Sequence, residues 1–123
     1  MNLDTYISRC TEPEDDYLHR LYRATNIHLV RSHMVSGHVE GTLLKMLVAM
    51  LRPKNILEIG TFTGYSAIAM SYGLGPEGHI HTFDVNDELE DFTREWIENS
   101  RRGKQITYTI GNVLDILPHK AER

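Results

Sequence analysis

Two glycines, Gly60 and Gly64, close an apolar run that carries one acid, Glu58. A second acid, Asp84, follows Gly64 by twenty residues, at the end of the stretch "HIHTFD". Glycine admits backbone angles that other residues resist and lets a ligand approach the main chain. In an open α/β sheet, ligands bind beyond the carboxyl ends of the strands, and an acid ending the second strand accepts hydrogen bonds from ribose hydroxyls. The pattern predicts a groove for a nucleoside-bearing ligand, built on Gly60, Gly64 and Asp84. Amides at the helix start after Gly64 would also suit an anionic group. The spacing Gly60-Thr-Phe-Thr-Gly64 is not G-x-G-x-x-G, which weighs against NAD. Glu58 stands among isoleucines and leucine, where a carboxylate is costly unless paired or hydrogen-bonded. It is expected to brace the turn, to face a cationic part of the ligand, or both.

Other residues offer less chemistry. His79 and His81 alternate onto one face of a strand, but no third metal ligand accompanies them, so a structural or surface use is expected. His33 and His38 flank the stretch before the turn and are candidates to touch a substrate. His119 stands near the end of the sequence. Phe62 and Tyr65 are expected to pack. No catalytic residue is assigned, and no metal ligands. Cys10 is the sole cysteine, so no intrachain disulfide can form, which fits a reducing cytoplasm.

These residues need elements to position them. Thr11, Pro13 and Glu14 predict the start of a helix that buries Tyr17, Leu18, Leu21 and Tyr22. Ser36 is expected to cap a second helix with an apolar stripe of Leu43, Leu44, Leu47, Met50 and Leu51, stopped by Pro53. "NILEIG" reads as a strand and "YSAIAMSYG" as a helix ended by Gly73. "HIHTFD" is a second strand. Asn86 is expected to cap a third helix that buries Leu89, Phe92, Trp96 and Ile97. "QITYTIG" is a third strand, and "NVLDILP" begins a further helix. Strand-helix alternation predicts parallel βαβ units with right-handed crossovers. The expectation is an α/β fold in a single domain, 1–123: N-terminal helices over 1–54 and a βαβαβ core over 55–123. Its three parallel strands would lie in the order third, second, first.

Composition narrows the partners. The chain has 123 residues, is 41% apolar and 24% charged, and carries a formal net charge of -4. That balance lacks the basic excess of a nucleic-acid surface. No apolar run approaches a membrane span, and the first residues lack the apolar core of a signal peptide. A cytoplasmic protein with a small-molecule ligand, and neither nucleic acid nor membrane as partner, is expected.

From about Ser32 onward the sequence resembles the class I S-adenosylmethionine-dependent methyltransferases, and within them the cation-dependent O-methyltransferases of the caffeoyl-CoA and catechol type. "MVSGHVEGTLLKML" is similar to their pre-strand helix. "LEIGTFTGYSA" is similar to their cofactor motif, "HTFDVN" to the strand bearing the ribose acid, and "IGNVLDILP" to a segment that usually reads Gly-Asp-Ala. The resemblance implies a Rossmann-like fold and S-adenosyl-L-methionine as cofactor. It implies that Ser36 lines the pocket and that Glu58, Gly60 and Thr61 lie along the methionine end. Ser66 would donate to the methionine carboxylate, and Asp84 would hold the ribose. Val85, Asn112 and Val113 would flank the adenine, with Asn112 in place of the usual Asp.

It further implies methyl transfer to a hydroxyl of a small phenolic or catechol-type acceptor. A divalent, magnesium-type metal acts in that family, but its ligands come from a later strand. No residue after Pro118 supplies them. The sequence is therefore expected to be the amino-terminal half of a longer enzyme, inactive alone and self-associating as a homodimer or higher. A non-catalytic binding or assembly module on the same fold is the alternative, and another nucleotide-binding α/β fragment is a weaker one.

Overall fold

The computed structural model describes residues 1–29 and 31–120. Its helices are α1 (Leu3–Cys10), α2 (Asp16–His28), α3 (His38–Leu51), α4 (Tyr65–Ser71), α5 (Glu90–Glu98) and α6 (Val113–Lys120). The strands are β1 (Asn55–Ile59), β2 (His79–Asp84) and β3 (Ile106–Ile110). They form one parallel sheet in the order β1-β2-β3, as expected, with β2 central. The register aligns Ile56, Ile80 and Ile106 in one row and Glu58, Thr82 and Tyr108 in the next row on the same face. That face meets the helices: Ile80 and Ile106 pack with Leu21, Val48, Ile68 and Ile97 in the core. The opposite face carries Leu57 and Ile59, which remain 50% and 66% exposed.

Helix α4 makes the crossover from β1 to β2, and α3 lies along it. Small residues set how closely the two approach. A Cβ on Gly41 would stand 2.9 Å from the Tyr65 ring, and one on Gly73 would stand 2.5 Å from the Lys45 carbonyl oxygen. The second contact is with backbone, which cannot rotate aside. Gly73→Ala is therefore expected to force α3 off α4 and to destabilise the chain by about 1–3 kcal/mol, read as a lowered urea midpoint.

Several expected boundaries shift. The first helix, α1, has no counterpart in the expectation; Asn2 caps it by accepting from the Thr5 amide at 2.9 Å. Helix α2 starts at Asp16 under an Asp15 cap rather than at Thr11. Thr11 ends α1 instead, its hydroxyl donating to the Ile7 carbonyl at 2.6 Å. Gly37, not Ser36, occupies the cap position of α3. Asn86 does not cap α5, which begins four residues later at Glu90. The Asp84 carboxylate takes the Asn86 amide at 3.0 Å, and the Asn86 side chain takes the Glu88 amide at 2.9 Å. Two successive side-chain turns thus occupy donors that a helix would use.

The apolar faces shift too. Leu18 and Leu21 are buried as expected, but Tyr22 is exposed. On α3 most of the expected stripe points outward: Leu43, Leu47, Met50 and Leu51 are exposed, whereas Leu44 is partly buried against the core and Gly41 and Val48 make the buried side.

Candidate cofactor groove

The turn between β1 and α4 is a backbone structure held from below. Gly60, Phe62 and Gly64 all have positive φ, at 95°, 50° and 89°. For phenylalanine this is a strained conformation that persists only when its surroundings enforce it. The enforcement is visible. The Asp84 Oδ2 atom accepts from the amides of Thr61 and Phe62 at 3.1 and 2.9 Å. The Thr93 hydroxyl donates to the Phe62 carbonyl at 2.7 Å, and the Gly60 amide donates to the Phe83 carbonyl at 2.7 Å. At Gly64 a Cβ would meet Ile97 of α5 at 3.1 Å. At Gly60 a Cβ would meet nothing within 4 Å. Gly64 thus serves packing, whereas Gly60 leaves bare main chain beside open space.

Below the turn, Glu58 is embedded in hydroxyls. Its Oε2 accepts from Ser66 at 2.6 Å and its Oε1 from Thr82 at 2.7 Å, while Thr82 and Thr61 share a 2.6 Å contact. Burial pushes the Glu58 carboxyl above its ordinary range, the Ser66 and Thr82 hydroxyls pull it back, and the Asp84 charge pushes it up again. Folded Glu58 therefore holds its proton more tightly than unfolded Glu58 does. Its contribution to stability is full below its ordinary 4.5 and is lost as pH rises through the raised value. Glu58→Gln is expected to remove that part of the decline, so that urea midpoints at acidic and neutral pH draw together.

Three hollows surround the turn, beyond the carboxyl ends of the strands. One is bordered by Met34, Val35, Ser36, Gly60, Thr61 and Ser66. A second is bordered by His28, Arg31, Met34, Phe62, Asp84 and Glu88. A third is bordered by Ile59, Gly60, Phe83, Val85, Asn112 and Val113. Phe62 joins the first to the second, Gly60 joins the first to the third, and Asp84 borders both the second and third. The Gly111 amide ties the end of β3 to this place, donating to the Asp84 carbonyl at 2.8 Å.

The structure therefore gathers Ser36, Gly60, Thr61, Ser66, Asp84, Val85, Asn112 and Val113 around one groove, with Glu58 and Gly64 supporting it from behind. Asp84 already accepts three amides. A carboxylate offers about four lone-pair sites, so one site on Oδ1 stays open to a ligand. The Asn112 Oδ1 accepts from the Leu114 amide at 2.9 Å, at the start of α6.

The sequence reading missed Thr82 and Thr93, both fully buried, and Arg31 and His28 at the mouth. The available signal for Thr82 was a threonine between His81 and Phe83, two places before Asp84. Tyr65 packs as expected, buried, its hydroxyl donating to Glu14 at 2.5 Å. Phe62 does more than pack, since its backbone is part of the turn. His33 is exposed, and His38 lies in a separate recess with Glu12, Lys45 and Tyr65. The rings of His79 and His81 are 4.8 Å apart, and His79 Nε2 lies 2.6 Å from the Thr107 hydroxyl. The side chain of His119 lies outside what the structure describes. Among the described residues, no group of three or more His, Cys, Asp or Glu side chains is placed to hold a metal ion.

Known proteins resemble this chain over most of its length. The O-methyltransferase family model matches residues 7–122. The caffeoyl-CoA O-methyltransferase of Petroselinum crispum is 35% identical over 89 residues, which is 72% of this chain and 37% of that protein. The catechol O-methyltransferase of Niastella koreensis is 32% identical over 124 residues, covering 98% of this chain and 54% of that one. Among solved structures, the O-methyltransferase of Bacillus cereus in complex with S-adenosylhomocysteine superposes with a TM-score of 0.86 at 30% identity, over 98% of this chain and 55% of its own. The chain thus spans about a third to a half of the length of these relatives. It belongs to the O-methyltransferase family, and its three-stranded sheet is part of the Rossmann-like class I methyltransferase fold.

Proposed function

We propose that this member of the O-methyltransferase family forms the S-adenosylmethionine-binding part of an enzyme that methylates a hydroxyl of a small phenolic, catechol-type acceptor. The observation that carries this reading is the placement of Asp84. One carboxylate both ties down the glycine turn and keeps a lone-pair site beside two of the hollows.

The residues present fit the cofactor. Gly60, Thr61 and Ser36 border the hollow suited to the methionine end, with Ser66 at the start of α4. Asp84 would accept from a ribose hydroxyl. Val85, Asn112 and Val113 would flank the adenine. When bound, the cofactor supplies a methyl group on a sulfonium centre. This chain's residues bind and orient: the turn fixes the bare main chain of Gly60 beside the ligand, Glu58 contributes a carboxylate below it, and Phe62 borders both the methionine side and the Asp84 side. The described residues do not assemble a metal centre, and no step proposed for them passes through one. The relatives named for caffeoyl-CoA and catechol support the choice of acceptor class.

The same reading is of a cytoplasmic protein. No helix among the described residues is long and apolar enough to cross a membrane. It also makes the chain a self-associating one, through the exposed apolar side of α3 and the β1 edge.

Calorimetry with S-adenosylhomocysteine and with NAD tests the binding reading. Saturable one-site binding of the first and none of the second is expected. The reverse would move the protein to another nucleotide class. Transfer of labelled methyl from S-adenosylmethionine to catechol is expected to be absent with this chain alone. Turnover by the purified chain would contradict the expectation that it is inactive alone.

A further inference from the structure

Thr82 has no role in the cofactor reading, yet it sits at the centre of the hydrogen-bonded chain beneath the turn. It is fully buried in β2, in the row Glu58–Thr82–Tyr108. Its hydroxyl lies 2.7 Å from Glu58 Oε1 and 2.6 Å from the Thr61 hydroxyl. A hydroxyl has one proton to give. Given to Glu58, it leaves Thr82 an acceptor, so Thr61 must be the donor of the second bond. The chain then runs Thr61 to Thr82 to Glu58, and Ser66 donates to the other carboxylate oxygen at 2.6 Å. With Glu58 ionised, both of its oxygens accept and every hydroxyl in the chain has a place for its proton. A protonated Glu58 would have to donate into one of these hydroxyls and reverse that arm. Reversal through Thr82 would strip Thr61 of its acceptor, and among the described residues the Thr61 hydroxyl has no other hydrogen-bond partner.

We infer that Thr82 is a positioning residue that holds Glu58 as a carboxylate beneath the glycine turn, through a directed hydroxyl chain that also fixes Thr61 at the groove. Its consequence for ligand binding rests on the proposed cofactor site; the hydroxyl chain itself does not. The groups facing Glu58 are Ser66 from α4 and Thr82 and Asp84 from β2. Ser66 and Thr82 favour the anion. Burial and the Asp84 charge oppose it. Thr82 therefore supplies one of the two hydroxyls that favour the Glu58 anion, and its loss leaves the opposing pair less resisted.

The test is carboxyl carbon NMR titration of Glu58 in the full chain without ligand, comparing wild type, Thr82→Val and Thr82→Ser. Losing a hydrogen bond to a charged group is expected to raise the Glu58 midpoint by about one pH unit or more in Thr82→Val. Thr82→Ser keeps the donor and is expected to leave the midpoint in place. A purely structural role for Thr82 would move neither. Should Thr82→Val not fold, Thr82→Cys gives the graded version, because a thiol is a weaker donor: a midpoint above that of Thr82→Ser is expected. An unmoved midpoint in a folded Val or Cys variant would overturn the inference. S-adenosylhomocysteine affinity measured across the same pH range adds the functional arm. Its acid-side decline is expected to begin about one unit higher in Thr82→Val. A raised midpoint together with no binding by any variant, wild type included, would count against the cofactor reading and leave the hydroxyl chain standing.

Discussion

Asp84→Ala is expected to weaken S-adenosylhomocysteine binding by about 100-fold or more. Two losses combine. The open Oδ1 site would accept a ribose hydroxyl, and a hydrogen bond to a charged group is worth about 1.5–3 kcal/mol. The same carboxylate holds the amides of Thr61, Phe62 and Asn86, and alanine leaves all three without that acceptor. Phe62 then lacks the clamp that keeps it at φ 50°, so the bound shape of the turn must be regained on binding. About 2.7 kcal/mol is a hundredfold change in affinity, and the direct bond alone reaches that figure near the top of its range. Asp84→Asn separates the two losses. It keeps one oxygen acceptor and the side-chain volume but loses the charge, and an intermediate loss of about tenfold is expected. Calorimetry of both variants, with circular dichroism to establish that each is folded, checks the prediction. Unchanged affinity in Asp84→Ala would remove this residue from the site.

Replacing two exposed apolar residues of α3 is expected to change the mass of the protein in solution. Leu47 and Met50 belong to an outward row with Leu43 and Leu51, and Met50 and Leu51 are 75% and 77% exposed. Separately, among the described residues β1 pairs with β2 on one side only, so its other edge presents unpaired backbone groups next to Leu57 and Ile59, which are exposed on the sheet face away from the helices. An apolar, unprotected parallel edge is a template for pairing with another chain, and an exposed apolar helix row favours association. Light scattering of the wild-type chain at micromolar concentration is expected to give a multiple of 14.2 kDa. Leu47→Lys combined with Met50→Lys is expected to shift it toward the single-chain mass, while S-adenosylhomocysteine still binds, because neither residue borders the groove. A wild-type monomer would contradict the association.

The sequence carried the fold where local pattern and global packing agree. The three strands lie where "NILEIG", "HIHTFD" and "QITYTIG" placed them, because a buried parallel strand reads as a short apolar run between turn residues. Their order followed from crossover handedness. Legibility failed where side chains chose between two local partners. Asn86 looks like a helix cap, but Asp84 takes its amide first, and α5 starts late. Thr11 looks like another, but its hydroxyl turns back onto α1. The α3 stripe was readable as apolar, yet periodicity cannot say which side meets a neighbour. Gly41 and Gly73 decide that, by admitting α4 closely. At the groove, the sequence marked the glycines and Asp84. It could not show that Asp84 also builds the turn, nor that Thr82 and Thr93, distant in sequence, complete it. Those are contacts between elements and have no local signature.

The most direct measurement is a backbone amide NMR titration of the wild-type chain with S-adenosylhomocysteine. Saturable shifts centred on Gly60, Thr61, Phe62, Ser66, Asp84, Val85, Asn112 and Val113 are predicted, with the exposed α3 row little changed. No saturable shift, or shifts gathered away from the turn between β1 and α4, would contradict the assignment of this groove to an S-adenosyl cofactor.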